Sequence, residues 1–119
     1  MKRFHLILLL QLCCIMSAFA QSDYYMRQAQ GYQREAEYYT KQAQGYDREV
    51  EYYNRQAQGY LREAEYYTKR EKYDQAKSYQ RRAKDATDKA ESYKRRADDA
   101  RDKARENMKK AEDALQKAK

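Results

Sequence analysis

A 14-residue unit, repeated three times with little change, decides most of what this chain can fold into. It reads YYMRQAQGYQREAE from Tyr24, YYTKQAQGYDREVE from Tyr38 and YYNRQAQGYLREAE from Tyr52, and a decaying fourth copy begins at Tyr66. Fourteen residues are two heptads. With position a at Ala29, Ala36, Ala43, Val50, Ala57 and Ala64, position d is tyrosine at every step: Tyr25, Tyr32, Tyr39, Tyr46, Tyr53, Tyr60 and Tyr67. Position f is always Arg or Lys, and g alternates Gln and Glu from Gln28 to Glu63. A strand has a side-chain period of two and would scatter these classes over both faces, so the 3-4 spacing predicts helix.

The second half keeps the period with a different filling. Position a is Ala76, Ala83, Ala90, Ala97, Ala104, Ala111 and Ala118; d is Tyr79, Ala86, Tyr93, Ala100, Asn107 and Ala114. Position g is wholly basic: Arg82, Lys89, Arg96, Lys103, Lys110 and Lys117. Acids at c stand four residues before Lys89, Lys103, Lys110 and Lys117, the favourable order for helical ion pairs, worth roughly 0.2–0.5 kcal/mol each. Asn107 at d is a polar group of the kind that fixes register.

The two registers do not join. Ala64 to Ala76 is 12 residues, which at about 100° per residue turns the seam by roughly 120°. Either one continuous helix changes its contact face, or a hinge separates two helices near the charge cluster Lys69–Lys72. With neither Gly nor Pro between Glu65 and Gln75, the continuous helix is the expectation. The fold class expected is all-α, a long helical rod or coiled coil built on 14-residue repeats, with a Tyr/Ala region over 21–69 and a basic Ala-heptad region over 70–119.

The first 20 residues stand apart. Lys2 and Arg3 precede an apolar run from Leu6 to Met16, and Ser17-Ala18-Phe19-Ala20 leads into the polar Gln21. A charged start, a short apolar stretch and an A-x-A site describe a secretory signal peptide cut between Ala20 and Gln21. The run is short of the ~20 residues of a spanning helix, so stable membrane insertion is not expected. Leu10-Gln11-Leu12 before Cys13 lacks the small residues of a lipid-attachment site.

Removing that segment takes away His5, Cys13 and Cys14, the only His and Cys in the chain. The expected product is therefore without disulfides, thiol or imidazole catalysis, or zinc, and neither an enzyme nor a cofactor binder is expected. Nearly all Leu, Ile and Phe go with it, leaving 24 bases against 19 acids, a net charge of +5. The 14 Tyr all remain.

Such a product, lacking an aliphatic core, is expected to associate. Alanine at a buries only about 0.8 kcal/mol of apolar surface, whereas each Tyr at d carries roughly 150–250 Å² with a hydroxyl for the wet rim. Small a and large d layers interdigitate, so self-association through Ala/Tyr seams is the expected partnership, with strand number and direction open. Gly31, Gly45 and Gly59 alternate at c with Tyr24, Tyr38, Tyr52 and Tyr66. Each glycine costs about 1 kcal/mol relative to alanine in a helix. A surface glycine copied with the repeat is the simpler reading; a slot for a neighbouring chain's tyrosine is the other.

The Ala76–Ala118 stripe resembles the alanine zippers of small bacterial outer-membrane lipoproteins. The chain from Gln21 onward resembles tyrosine-rich secreted structural proteins of invertebrates, of byssal or adhesive, eggshell or shell-matrix type, on its signal peptide, short repeats and Tyr-Tyr doublets beside Arg or Lys, as at Tyr39 to Lys41 and Tyr53 to Arg55. That resemblance implies a secreted, extracellular matrix protein whose tyrosines are oxidised or cross-linked. Tyr24, Tyr38, Tyr52 and Tyr66, off the seam at c, are the candidate positions.

Other function classes fare less well. Residues 21–69 hold seven bases and eight acids, whereas 70–119 hold seventeen and eleven. Any anionic matrix polymer is therefore expected to meet 70–119. Acids interspersed among the bases, together with secretion, argue against nucleic acid. The Ala/Tyr face lacks the Leu, Phe and Trp of membrane-active helices, and Asp98, Asp99 and Asp102 do not make a calcium loop.

Overall fold

The computed structural model describes residues 2–119 and is all-α, with no strand among those residues. Helix α1 runs Lys2–Lys69 and α2 runs Tyr73–Ala118. The expected continuous helix is thus corrected: the chain breaks over Arg70, Glu71 and Lys72. The reason lies in the 12-residue offset. A straight helix would carry its two apolar stripes on different faces, whereas a reversal lays one stripe on the other and buries both without a second chain.

The reversal is a Schellman turn. Lys72 N–H donates to the Tyr67 carbonyl at 3.0 Å and Glu71 N–H to that of Thr68 at 3.0 Å, closing the last carbonyls of α1. This geometry requires a left-handed residue, and Glu71 takes that place at φ 59°. Glycine usually fills it, because a Cβ there costs roughly 1–2 kcal/mol. Glu71→Gly is therefore expected to stabilise the fold by about 1 kcal/mol, read as a higher midpoint in urea with unchanged slope; an unchanged or lower midpoint would refute the assignment. Lys72 N–H thus ends α1 while the Lys72 carbonyl accepts from Ala76 N–H at 3.1 Å and starts α2. Asp74 in the first turn of α2 suits the helix dipole.

The chain divides into two compact units. One is Tyr39–Lys103, which includes the turn. Within it α1 and α2 run antiparallel, since rising positions on α1 meet falling ones on α2: Tyr53 stacks on Tyr93 (5.7 Å between ring centres) and Tyr67 on Tyr79 (5.5 Å). Each α2 ring also touches a second α1 ring, Tyr93 with Tyr46 at 6.0 Å and Tyr79 with Tyr60 at 6.2 Å. The other unit is the chain up to Tyr38 with Ala104–Lys119. It is antiparallel too: Lys110 lies over Tyr32 and Lys117 over Tyr25, and Ser22 donates to the Ala118 carbonyl at 3.0 Å.

The heptad seam is the core in each unit. On α1 the a-position alanines are buried and the d-position tyrosines half-buried; Val50, the one branched residue at a, is half-buried as well. On α2 the alanines at a from Ala76 to Ala111 and those at d are buried, with Ala97 fully inaccessible, and Ala118 at the helix end is half-buried. Asn107 is the one buried polar side chain among the described residues, and no buried side-chain polar atom among them lacks a hydrogen-bond partner.

The opening apolar stretch is helical and its side chains are exposed, Leu8 at 66% and Phe19 at 71%. This helix is long and apolar enough to cross a membrane, and its position at the N-terminus is equally that of a signal sequence. Ala20 and Gln21 lie within α1.

Candidate functional site

The basic g row of α2 follows a rule that the helix pairing explains. Where d of α2 is tyrosine, the g residue three places later is arginine, and its guanidinium lies over that same ring: Arg82 over Tyr79 at 5.2 Å, Arg96 over Tyr93 at 5.1 Å. Where d is Ala or Asn, g is lysine, and its ammonium reaches across to a tyrosine of α1. Lys89 lies over Tyr53 at 5.4 Å and Lys103 over Tyr39 at 5.4 Å; in the other unit Lys110 and Lys117 do the same to Tyr32 and Tyr25 at 5.9 Å. A small d residue leaves space for a slender aliphatic stem, and the ring face attracts the charge at its tip, each contact being worth roughly 0.5–1 kcal/mol at such exposed sites. The row is committed to the seam along one edge.

On the other edge, Arg101 bridges to Asp47 on α1 and to Asp98 at 3.0 Å on its own helix. The Asp47 hydrogen bond, opposed in part by desolvation, leaves the guanidinium pKa above its ordinary value. Arg101 is thus cationic at any accessible pH, and the pair is a charge clip. Of the three acids weighed for calcium, Asp98 is engaged in this clip and Asp102 has a partner of its own. Among the described residues no group of three or more His, Cys, Asp or Glu is placed to hold a metal ion.

The four c-position tyrosines form the other notable surface. Tyr24 and Tyr38 fall in one unit and Tyr52 and Tyr66 in the other, with exposures of 57%, 60%, 52% and 47%. Within each unit the two members are 14 residues apart on α1, about 21 Å at 1.5 Å per residue. Three are held edge-on by the d tyrosine that follows, with Tyr24–Tyr25, Tyr52–Tyr53 and Tyr66–Tyr67 ring centres at 5.4, 5.1 and 5.2 Å. Gln28 donates to the Tyr24 hydroxyl at 2.9 Å, Gln56 to that of Tyr52 at 2.8 Å, and the Arg70 guanidinium covers Tyr66 at 3.7 Å. All four rings are outward-facing, and Tyr24, Tyr52 and Tyr66 are also oriented by these contacts, while every d tyrosine on α1 is half-buried.

Gly31, Gly45 and Gly59 lie between them, and a Cβ added to any of the three meets nothing within 4 Å. The chain's own packing does not require these glycines.

Sequence reasoning placed the tyrosines on the two faces they occupy but missed the ring-capping by Lys and Arg. The signal was present in the strict pairing of Arg with Tyr, and of Lys with Ala or Asn, three residues apart. No known protein family, no curated protein and no solved structure matches this chain.

Proposed function

We propose that the chain is a secreted, non-enzymatic structural protein whose processed form self-associates in an extracellular matrix or secreted material through its outward tyrosines. The observation that carries the reading is the column Tyr24, Tyr38, Tyr52 and Tyr66, exposed at regular intervals on a helix whose seam tyrosines are already engaged. Because the Ala/Tyr seam is occupied within the chain, association between chains uses this outer column instead. Exposed phenols in register are also the groups an extracellular oxidase would modify or couple.

Expression in a secreting host tests the first half of the reading. The released product is expected to begin at Gln21, by N-terminal sequencing or intact mass; retention in the cell with residues 1–20 attached would refute secretion. Localisation of the native protein in an insoluble extracellular structure, with its tyrosines analysed there, tests the second half.

A second reading is favoured by charge. The surplus of six bases over 70–119 would hold an anionic matrix polymer, with affinity falling steeply as salt screens the contact. Salt-insensitive binding to a sulfated polysaccharide would count against it.

A further inference from the structure

The tyrosine row that α2 contributes to the seam is interrupted. Within the unit Tyr39–Lys103, Tyr93 sits between Tyr46 and Tyr53, and Tyr79 sits between Tyr60 and Tyr67. Midway between them position d is Ala86, and there the seam opens into a groove of about 140 Å³ walled by Tyr53 and Tyr60 and rimmed by Arg82 and Lys89, with Gln56 and Asp85 completing it. In the free chain the Lys89 ammonium covers Tyr53 here at 5.4 Å, and an incoming ring that displaces it would meet Tyr53 and Tyr60. Ala100 repeats the interruption 14 residues on, where Lys103 over Tyr39 mirrors Lys89 over Tyr53.

The same chain carries a counterpart. Each exposed c tyrosine is immediately preceded by an acid, as in Glu51-Tyr52 and Glu65-Tyr66, which suits a groove rimmed by Arg and Lys. Their 14-residue interval equals that between Ala86 and Ala100, about 21 Å in both helices. The glycines between them remove Cβ atoms from the stretch that would lie against the partner.

We propose that a second copy of the chain docks by seating an acid-flanked c tyrosine of its α1 in the groove at Ala86, the next c tyrosine then falling at the interruption at Ala100. This rests on the self-association reading above and specifies its geometry. Tyrosine and groove are different surfaces, so the contact is heterologous and propagates into open-ended assemblies.

Two variants of the full chain, produced in a secreting host and purified as delivered, test it by sedimentation velocity and electron microscopy. Ala86→Tyr with Ala100→Tyr fills the groove and the matching interruption from within, and Tyr24→Ala with Tyr38→Ala, Tyr52→Ala and Tyr66→Ala removes every incoming ring from the exposed face. The parent is expected to form filaments or a size ladder that grows with concentration, and each variant alone to need at least tenfold higher concentration. Mixed together, the variants are expected to form discrete pairs, because one retains only tyrosines and the other only grooves. Circular dichroism verifies that both remain helical, and filling Ala86 alone is the reserve variant if the double substitution perturbs the fold. A parent that assembles alongside variants that assemble equally well would overturn this contact while leaving self-association standing. A parent that stays monomeric at all concentrations would overturn both.

Discussion

Replacing Ala97 with leucine is expected to destabilise the protein by about 1–3 kcal/mol, the usual penalty for forcing extra methylenes into a packed seam. In most helical zippers the same change would be favourable, since burying a leucine side chain contributes roughly 1.5–3 kcal/mol. The sign decides because Ala97 is fully inaccessible and α2 presents alanine at every a position. At position a the helix therefore packs against α1 with methyl groups alone, and most of the bulk of the seam comes from the d tyrosines, seven on α1 and two on α2. Urea unfolding followed by circular dichroism measures the change, and a midpoint that rises would show that the seam has room the alanines do not fill.

Removing Tyr93 is the complementary experiment. Tyr93→Ala deletes the ring that stacks on Tyr53 and contacts Tyr46, and it also removes the surface beneath Arg96. Full burial of a large aromatic is worth about 3–5 kcal/mol on truncation, and this half-exposed ring is expected to cost about 2–3. Tyr93→Phe keeps the stack and is expected within about 0.5 kcal/mol of the parent, as is Tyr52→Ala on the outer face. Equal losses for Tyr93→Ala and Tyr52→Ala would contradict the division into seam and outer tyrosines.

Helix content and the identity of the seam were legible because the 3-4 period assigns alanine and tyrosine to one stripe without structural help. The reversal at Arg70–Lys72 was not, because Arg70, Glu71 and Lys72 are all helix formers and the left-handed place is taken by Glu71 instead of glycine. Local propensity and tertiary packing disagree there, and packing prevails: two stripes turned by 120° are reconciled only by folding back. Direction was encoded less openly. A basic g row on α2 against Gln and Glu at g on α1 makes sense only when like heptad positions share an edge, which is the antiparallel case. That the c column is exposed followed from the period; that α2 leaves a tyrosine-walled groove at Ala86 did not, because a groove depends on which two helices meet and in what register.

Because both helices are written in units of the same 14-residue period, the pairing is modular. One unit added to α1 is matched by one unit added to α2, each extending its arm by about 21 Å while every ring, alanine and lysine keeps its former type of neighbour. Growth or loss by duplication in one arm alone would leave the opposite arm unmatched, with its alanine stripe facing water. Length in such a protein is therefore inherited in paired increments, and relatives of different size are expected to differ by whole units in both arms, with the turn unchanged.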